Sequence, residues 1–259
     1  MKEYVLITGA TSGIGYEFAK IFAENKYNLI LSGRNIKVLE NMKEDMEEKY
    51  KIMVYIFEKD LSKKGTAEEL YQEIKNNNIN VDILINNAGF GYVNEFINEE
   101  ITKDYEMMNL NMSSLTILTK LCGREMAKRK HGKILNVAST GAYHPGPYTA
   151  VYYASKAYVL SLTEAIAHEL KTYNVTVTAL CPGATKTNFC KREGKEDNPK
   201  AKDPAFVAKK GYDALMKGKG NVIPGIENKL LVMIPRKIAA PFIGCLLYTS
   251  PSPRDGATS

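Results

Sequence analysis

Tyr152 and Lys156 stand four residues apart, and Ser139 lies thirteen residues before Tyr152. On a helix, side chains four apart leave the same face, one turn from each other. A phenol beside an ammonium is a proton-transfer device. The positive charge favours phenolate and pulls the tyrosine pKa down from its ordinary value near ~10. A serine hydroxyl close by can hold a substrate oxygen. The pair alone says little, because Tyr-x-x-x-Lys also arises by chance on helix surfaces. Its meaning depends on the elements that would have to position it.

Those elements form an alternation. Short β-branched runs at 4–8, 28–32, 52–57, 83–85, 133–137, 175–180 and 221–223 predict strands. Between them, helical periodicity covers 14–25, 36–50, 66–76, 102–130, 152–173 and 204–217. Strand–helix alternation predicts an α/β fold with a parallel sheet covered on both faces. No internal repeat and no linker rich in Pro, Gly or Ser divides the chain, so residues 1–244 are expected to form one domain. The last fifteen residues, 245–259, lack periodicity and back-translate into a sequencing-library adapter. They are read as a non-native, disordered tail on a truncated reading frame.

The first predicted strand runs into Thr8-Gly9-Ala10-Thr11-Ser12-Gly13-Ile14-Gly15, and a helical pattern follows at once. Glycines there permit a tight turn and let backbone N–H groups approach a pyrophosphate at the helix N-terminus. The spacing is Gly-x-x-x-Gly-x-Gly, and its strand–turn–helix context favours a nucleotide site over a purely structural turn. A site for NAD places an acidic residue ~20 positions after the glycines, on the ribose 2′-OH. Here Gly33 and then Arg34 stand at that point. A guanidinium suits a 2′-phosphate that a carboxylate would repel. NADP(H) is therefore expected in preference to NAD(H), which stays open as the alternative. Asp60, followed by Leu61, can accept from an adenine amino group or cap the next helix. Asn86-Asn87-Ala88-Gly89 puts small residues at the end of the fourth strand, leaving room for a ligand.

With these in line, the chain resembles the short-chain dehydrogenase/reductase family from residue 4 to residue 225. The elements that carry the likeness are Thr8–Gly15, Asp60, Asn86–Gly89, Asn111, Ser139, Tyr152-x-x-x-Lys156 and Pro182-Gly183-Ala184-Thr185-Lys186-Thr187. The resemblance implies a doubly wound Rossmann-type fold with about seven parallel strands. It also implies nicotinamide-dependent interconversion of alcohols and carbonyls. By the same likeness Tyr152 is the general acid/base, and Lys156 binds the nicotinamide ribose and lowers the tyrosine pKa. Ser139 orients the substrate carbonyl, and Asn111 is the helix-bending asparagine that holds a relay water. Asn109 competes for that last role, but Asn-x-Ser-Ser fits from Asn111. The resemblance implies cofactor contacts at Gly9, Thr11, Ser12, Gly13, Ile14, Gly15, Arg34, Asp60, Leu61, Asn87, Ala88, Gly89, Tyr152 and Lys156. Pro182, Gly183, Thr185 and Thr187 would surround the carboxamide. Tyr153 is expected to point into packing, and Ser155 to be helix filler.

Composition narrows the remaining classes. Net charge is +6, but basic and acidic residues are interspersed, so no nucleic-acid partner is expected. The basic run 191–195 reads as a solvated loop. Cys122, Cys181, Cys190 and Cys245 form no Cys-x-x-Cys pair, and His131, His144 and His168 have no metal-ligand spacing. A reduced, cytoplasmic, metal-free protein is expected. The apolar stretch 230–247 is interrupted by Pro235, Arg236, Lys237 and Pro241, too broken for a membrane span. The helices near 102–130 and 152–173 are apolar on more than one face. They are read as a homodimer or homotetramer surface, or else as deeply buried. Phe90, Tyr92, Tyr143, His144, Tyr148 and Phe189 flank the site and predict an apolar or amphipathic carbonyl substrate. Two other functions stay open: a catalytically silent NADP(H) sensor, and a membrane-surface reductase of a lipid carbonyl.

Overall fold

The computed structural model describes residues 2–187, 201–236 and 238. The tail 245–259 and Phe189 lie outside the described residues, as does most of the loop that follows Thr187. The strands are β1 (Tyr4–Thr8), β2 (Asn28–Gly33), β3 (Val54–Glu58), β4 (Ile83–Asn86), β5 (Gly132–Val137), β6 (Val175–Leu180) and β7 (Asn221–Val222). They form one seven-stranded sheet in the order β3-β2-β1-β4-β5-β6-β7, parallel throughout. The chain winds outward from β1 to β3, then returns to β4 on the other side of β1. The crevice at the carboxyl ends of β1 and β4 is therefore the switch point, where open α/β sheets bind ligands.

Apolar side chains on both faces of each strand drive this arrangement. Val5, Ile7, Leu29, Leu31, Ile83 and Ile85 meet Phe18 and Phe22 on one face. Leu6, Ile30 and Leu84 alternate with them and meet Leu70, Leu118 and Met126 on the other. A strand buried on both sides has to be a continuous apolar run, as these are. The first face is covered by α1 (Gly13–Glu24), α2 (Ile36–Tyr50) and α7 (Pro204–Met216). The second is covered by α3 (Thr66–Asn76), α5 (Leu115–Arg129) and part of α6 (Ala150–Lys171). Local signals start two of the helices. Asn35 accepts from Val38 N at 3.2 Å to cap α2. Asp203 accepts from Ala205 N at 2.7 Å, with Pro204 in the first turn of α7.

Two departures from the periodicity matter for the site. The single helix expected over 102–130 is instead α4 (Ile101–Met108), a π turn at Asn109–Ser114, and then α5. A π turn inserts one residue into the helical ladder, and such turns gather at functional sites. Secondly, a short α8 (Ile226–Val232) follows β7 and reaches the start of the interrupted apolar stretch 230–247. Among the described residues no helix is long and apolar enough to cross a membrane.

The middle of the sheet carries a buried polar ladder. Asn86 Nδ2 donates to Asn136 Oδ1 and to Thr119 Oγ1, both at 2.9 Å. Asn136 Nδ2 donates to Thr163 Oγ1 at 3.0 Å. All four residues are buried, and they stitch β4 and β5 to α5 and α6. Removing one member would strand the others without solvent, the costly case for a buried polar group. Asn136→Ala is expected to lower unfolding stability by about 2–3 kcal/mol, read as a lower urea midpoint with unchanged slope. An unchanged midpoint would mean that the ladder contributes nothing.

Candidate active site

A cavity of about 540 Å³ opens at the switch point. Its floor is the turn after β1. Gly13 has φ +56°, in the left-handed region that suits glycine. A Cβ on Gly15 would lie 2.3 Å from the Gly9 carbonyl oxygen, so α1 can start this close only with glycine there. The Thr8 hydroxyl accepts from Asn87 N and Ala88 N, each at 3.0 Å. Asn87 Nδ2 donates to Thr8 O at 3.0 Å and Gly9 O at 3.1 Å. The ends of β1 and β4 are thus locked to each other before any ligand arrives.

At one end of the cavity Arg34 follows β2 and is exposed at the rim. Asp60 Oδ1 accepts from Ser62 N at 3.1 Å and Ser62 Oγ at 2.7 Å. Burial pushes the Asp60 carboxyl up, but the Ser62 hydrogen bonds and the Arg34 charge outweigh it and hold it below its ordinary value. Ser32 also lines this end, and its buried hydroxyl has no partner among the described residues. A glycine floor, an orphaned hydroxyl and a rim guanidinium fit a phosphorylated nucleotide. The sequence pointed to Arg34 and Asp60 but passed over Ser32, which carries no motif.

At the other end stand Ser139, Tyr152 and Lys156. Ser139 ends the run from β5, and its Oγ accepts from Gly141 N at 3.0 Å. Tyr152 and Lys156 occupy the first two turns of α6, with Lys156 Nζ 5.8 Å from the centroid of the Tyr152 ring. Lys156 is 4% exposed, and Nζ donates to Val137 O at 2.8 Å. Burial lowers the Lys156 amine from 10.5 to about 8, because desolvation disfavours the ammonium. Gly89 leaves room beside it: a Cβ there would lie 3.3 Å from Lys156 Nζ and 3.1 Å from Asn111 Oδ1.

The two asparagines of the π turn meet different partners. Asn109 Nδ2 donates to Ser62 O at 2.9 Å, out toward the loop after β3. Asn111 is fully buried beside Gly89 and Lys156. Ser155 is also fully buried and donates to Tyr152 O at 2.7 Å while accepting from Asn111 Nδ2 at 3.0 Å, so it is a connector rather than helix filler.

Gly9, Thr11, Ser12, Gly13, Ile14, Leu61, Asn87, Ala88, Gly89, Pro182, Gly183, Thr185 and Thr187 also line the cavity, while Gly15 and Asn111 lie behind its wall. The aromatic flanks divide. Phe90 lines the cavity. Tyr92 donates to Asp104 Oδ1, and burial with that contact pushes its phenol well up. Tyr143 accepts from Asn221 Nδ2 at 2.7 Å, and burial raises its phenol to about 12. His144 is buried and donates from Nε2 to Leu231 O at 3.0 Å, tying the loop after Ser139 to α8. Tyr148 offers its carbonyl to Asn94 N at 2.9 Å. The cavity wall instead includes Tyr153, whose ring meets that of Tyr152 edge-on at 6.0 Å. Tyr153 also packs over Gly141, where a Cβ would meet its ring at 3.2 Å. Its place follows from that glycine, so position on α6 alone could not show it.

The burial of Lys156 predicts a pH-dependent stability. Its folded pKa lies below its unfolded value, so the folded state releases the proton first and stability rises between about pH 8 and 10.5. Below pH 8 the full penalty applies, about 3 kcal/mol less about 1 for the Val137 hydrogen bond. Lys156→Met is therefore expected to be about 2 kcal/mol more stable than wild type at pH 7, with the gap closing above pH 8. Denaturant midpoints across pH 6–10.5 check this; a variant less stable at pH 7 would contradict it.

Comparison with known proteins places this geometry. The family model described as short chain dehydrogenase matches residues 3–198. Dehydrogenase/reductase SDR family member 7B of Mus musculus is 32% identical over 234 residues, 85% of this chain and 72% of that one. The 2-dehydro-3-deoxy-D-gluconate 5-dehydrogenase of Bacillus subtilis is 35% identical over 192 residues, 70% of each chain. Among solved structures, a short-chain dehydrogenase from Sphingobium yanoikuyae in complex with NADPH superposes with a TM-score of 0.82 at 26% identity. The match covers 86% of this chain and 88% of that one.

Proposed function

The chain belongs to the short-chain dehydrogenase/reductase family and is an oxidoreductase with a Rossmann-type fold, and from that premise we propose its reaction. It interconverts a ketone or aldehyde and the corresponding alcohol by hydride transfer, with NADP(H) as the preferred cofactor. The observation that carries this reading is the buried Lys156 amine beside the Tyr152 ring, at one end of a cavity whose other end is lined by the glycine turn and Arg34.

When bound, the nicotinamide supplies or accepts the hydride. The chain's own residues orient the partners and move one proton. In reduction, Tyr152 donates its phenolic proton to the substrate oxygen as negative charge builds there. The Ser139 hydroxyl holds that oxygen, and the Lys156 ammonium stabilises the phenolate left behind. Lys156 is an ammonium below about pH 8. The turn Gly9–Gly15 would hold the pyrophosphate, Lys156 the nicotinamide ribose, and Pro182–Thr187 the carboxamide. Arg34 would hold a 2′-phosphate, and Asp60 would face the adenine end. That the Sphingobium relative was solved in complex with NADPH supports a nicotinamide cofactor.

The substrate side is walled by Phe90 and Tyr153, which favour an apolar or amphipathic carbonyl. A homodimer or homotetramer through the α4–α6 side is supported by Ile101 and Tyr105, 69% and 65% exposed.

Two outcomes are expected. Tyr152→Phe should lose at least about 100-fold in kcat across a carbonyl panel, followed at the nicotinamide absorbance band. Equal turnover would remove Tyr152 from the chemistry. Arg34→Ala should weaken NADPH binding roughly 10- to 100-fold and leave NADH nearly unchanged, read by fluorescence titration. Equal loss for both cofactors would contradict 2′-phosphate recognition.

A further inference from the structure

Three pieces of chain meet behind the cavity wall. They are the loop after β4, the π turn, and the first turns of α6. The Asn111 carboxamide joins the first two: Oδ1 accepts from Phe90 N at 3.2 Å, and Nδ2 donates to Phe90 O at 2.9 Å. Its second Nδ2 proton goes to Ser155 Oγ at 3.0 Å. Ser155 spends its only proton on Tyr152 O at 2.7 Å, so toward Asn111 its oxygen can only accept. Both side chains are fully buried, and water cannot replace a lost partner. The amide is therefore held one way round. Reversing it would set two acceptors against each other at Phe90 O and leave Ser155 Oγ without a donor.

We propose that Ser155 is a positioning residue for proton transfer, acting through Asn111. The tie fixes the Gly89–Phe90 wall against α6, and Lys156 Nζ packs on that wall. Without the tie, the wall and α6 shift independently. The ammonium then loses its fixed approach to Tyr152, although neither Tyr152 nor Lys156 has changed. Small misplacements of a catalytic group cost catalysis more than binding. This inference rests on the reading of Tyr152 and Lys156 as the proton-handling pair.

The test needs no substrate. Ultraviolet difference titration at the tyrosinate band, each protein minus its own Tyr152→Phe version, follows ionisation of Tyr152 alone. Ser155→Ala is expected to raise the midpoint by at least about 0.5 pH unit, and Ser155→Thr, which keeps the oxygen, to restore it. In an Asn111→Ala background, Ser155→Ala should add no further shift. With a reducible carbonyl, Ser155→Ala should lower kcat about 10-fold and leave KM for NADPH within about twofold. Ser155→Cys, similar in size but a weak acceptor, replaces Ser155→Ala if the alanine variant does not fold. A folded Ser155→Ala or Ser155→Cys protein with the wild-type midpoint overturns the proposal, as does a full shift in the Asn111→Ala background. Failure of the underlying reaction shows differently, as wild-type protein that turns over no carbonyl whatever the Ser155 variants do to the phenol.

Discussion

The amine of Lys156 sits almost wholly out of water, and the surrounding structure makes that tolerable. An isolated buried ammonium is costly, and its pKa falls in answer. One carbonyl, that of Val137 at the end of β5, takes one of its protons at 2.8 Å. Room beside it exists because position 89 has no side chain. Its direction is set by α6, which the buried Asn86–Asn136–Thr119–Thr163 ladder holds to the middle of the sheet. Stability is surrendered at this position.

The far end of the cavity follows a different logic. There the backbone does the work: glycines bring α1 close to the end of β1, and the Thr8 hydroxyl and Asn87 carboxamide tie the two strand ends together. In the proposed reading that end holds the cofactor by shape and by backbone donors, with Arg34 adding charge at the rim. The two ends meet at Gly89, where the loop after β4 faces both.

Residues whose chemistry depends on identity were legible in the sequence. The glycine turn, Asn87–Gly89, Ser139 and the Tyr152–Lys156 pair are such residues, in that they gather on one cavity, and the parallel sheet followed from the strand–helix alternation. The resemblance implied a helix bend at Asn111, but the periodicity did not show the π turn, because one inserted residue leaves the 3.6-residue pattern of 102–130 almost intact. Ser155 was read as helix filler, and its bond to Asn111 crosses 44 residues, which no local pattern announces. The aromatic flanks divide for another reason: Phe90 lines the cavity, while others are engaged elsewhere. The hydroxyls of Tyr92 and Tyr143 are engaged by Asp104 and Asn221, and His144 by the carbonyl of Leu231. Among these, the Tyr143 and His144 contacts cross long stretches of sequence, and no local pattern announces them.

The most direct test of the account is the activity of Lys156→Met alongside its stability. Carbonyl reduction by wild type and variant would be followed from pH 6 to pH 10 on one substrate, with folding checked at each pH. The account predicts a variant that is folded at every pH, yet at least about 100-fold slower in kcat at pH 7. A folded Lys156→Met protein with wild-type kcat and the wild-type pH profile would contradict it.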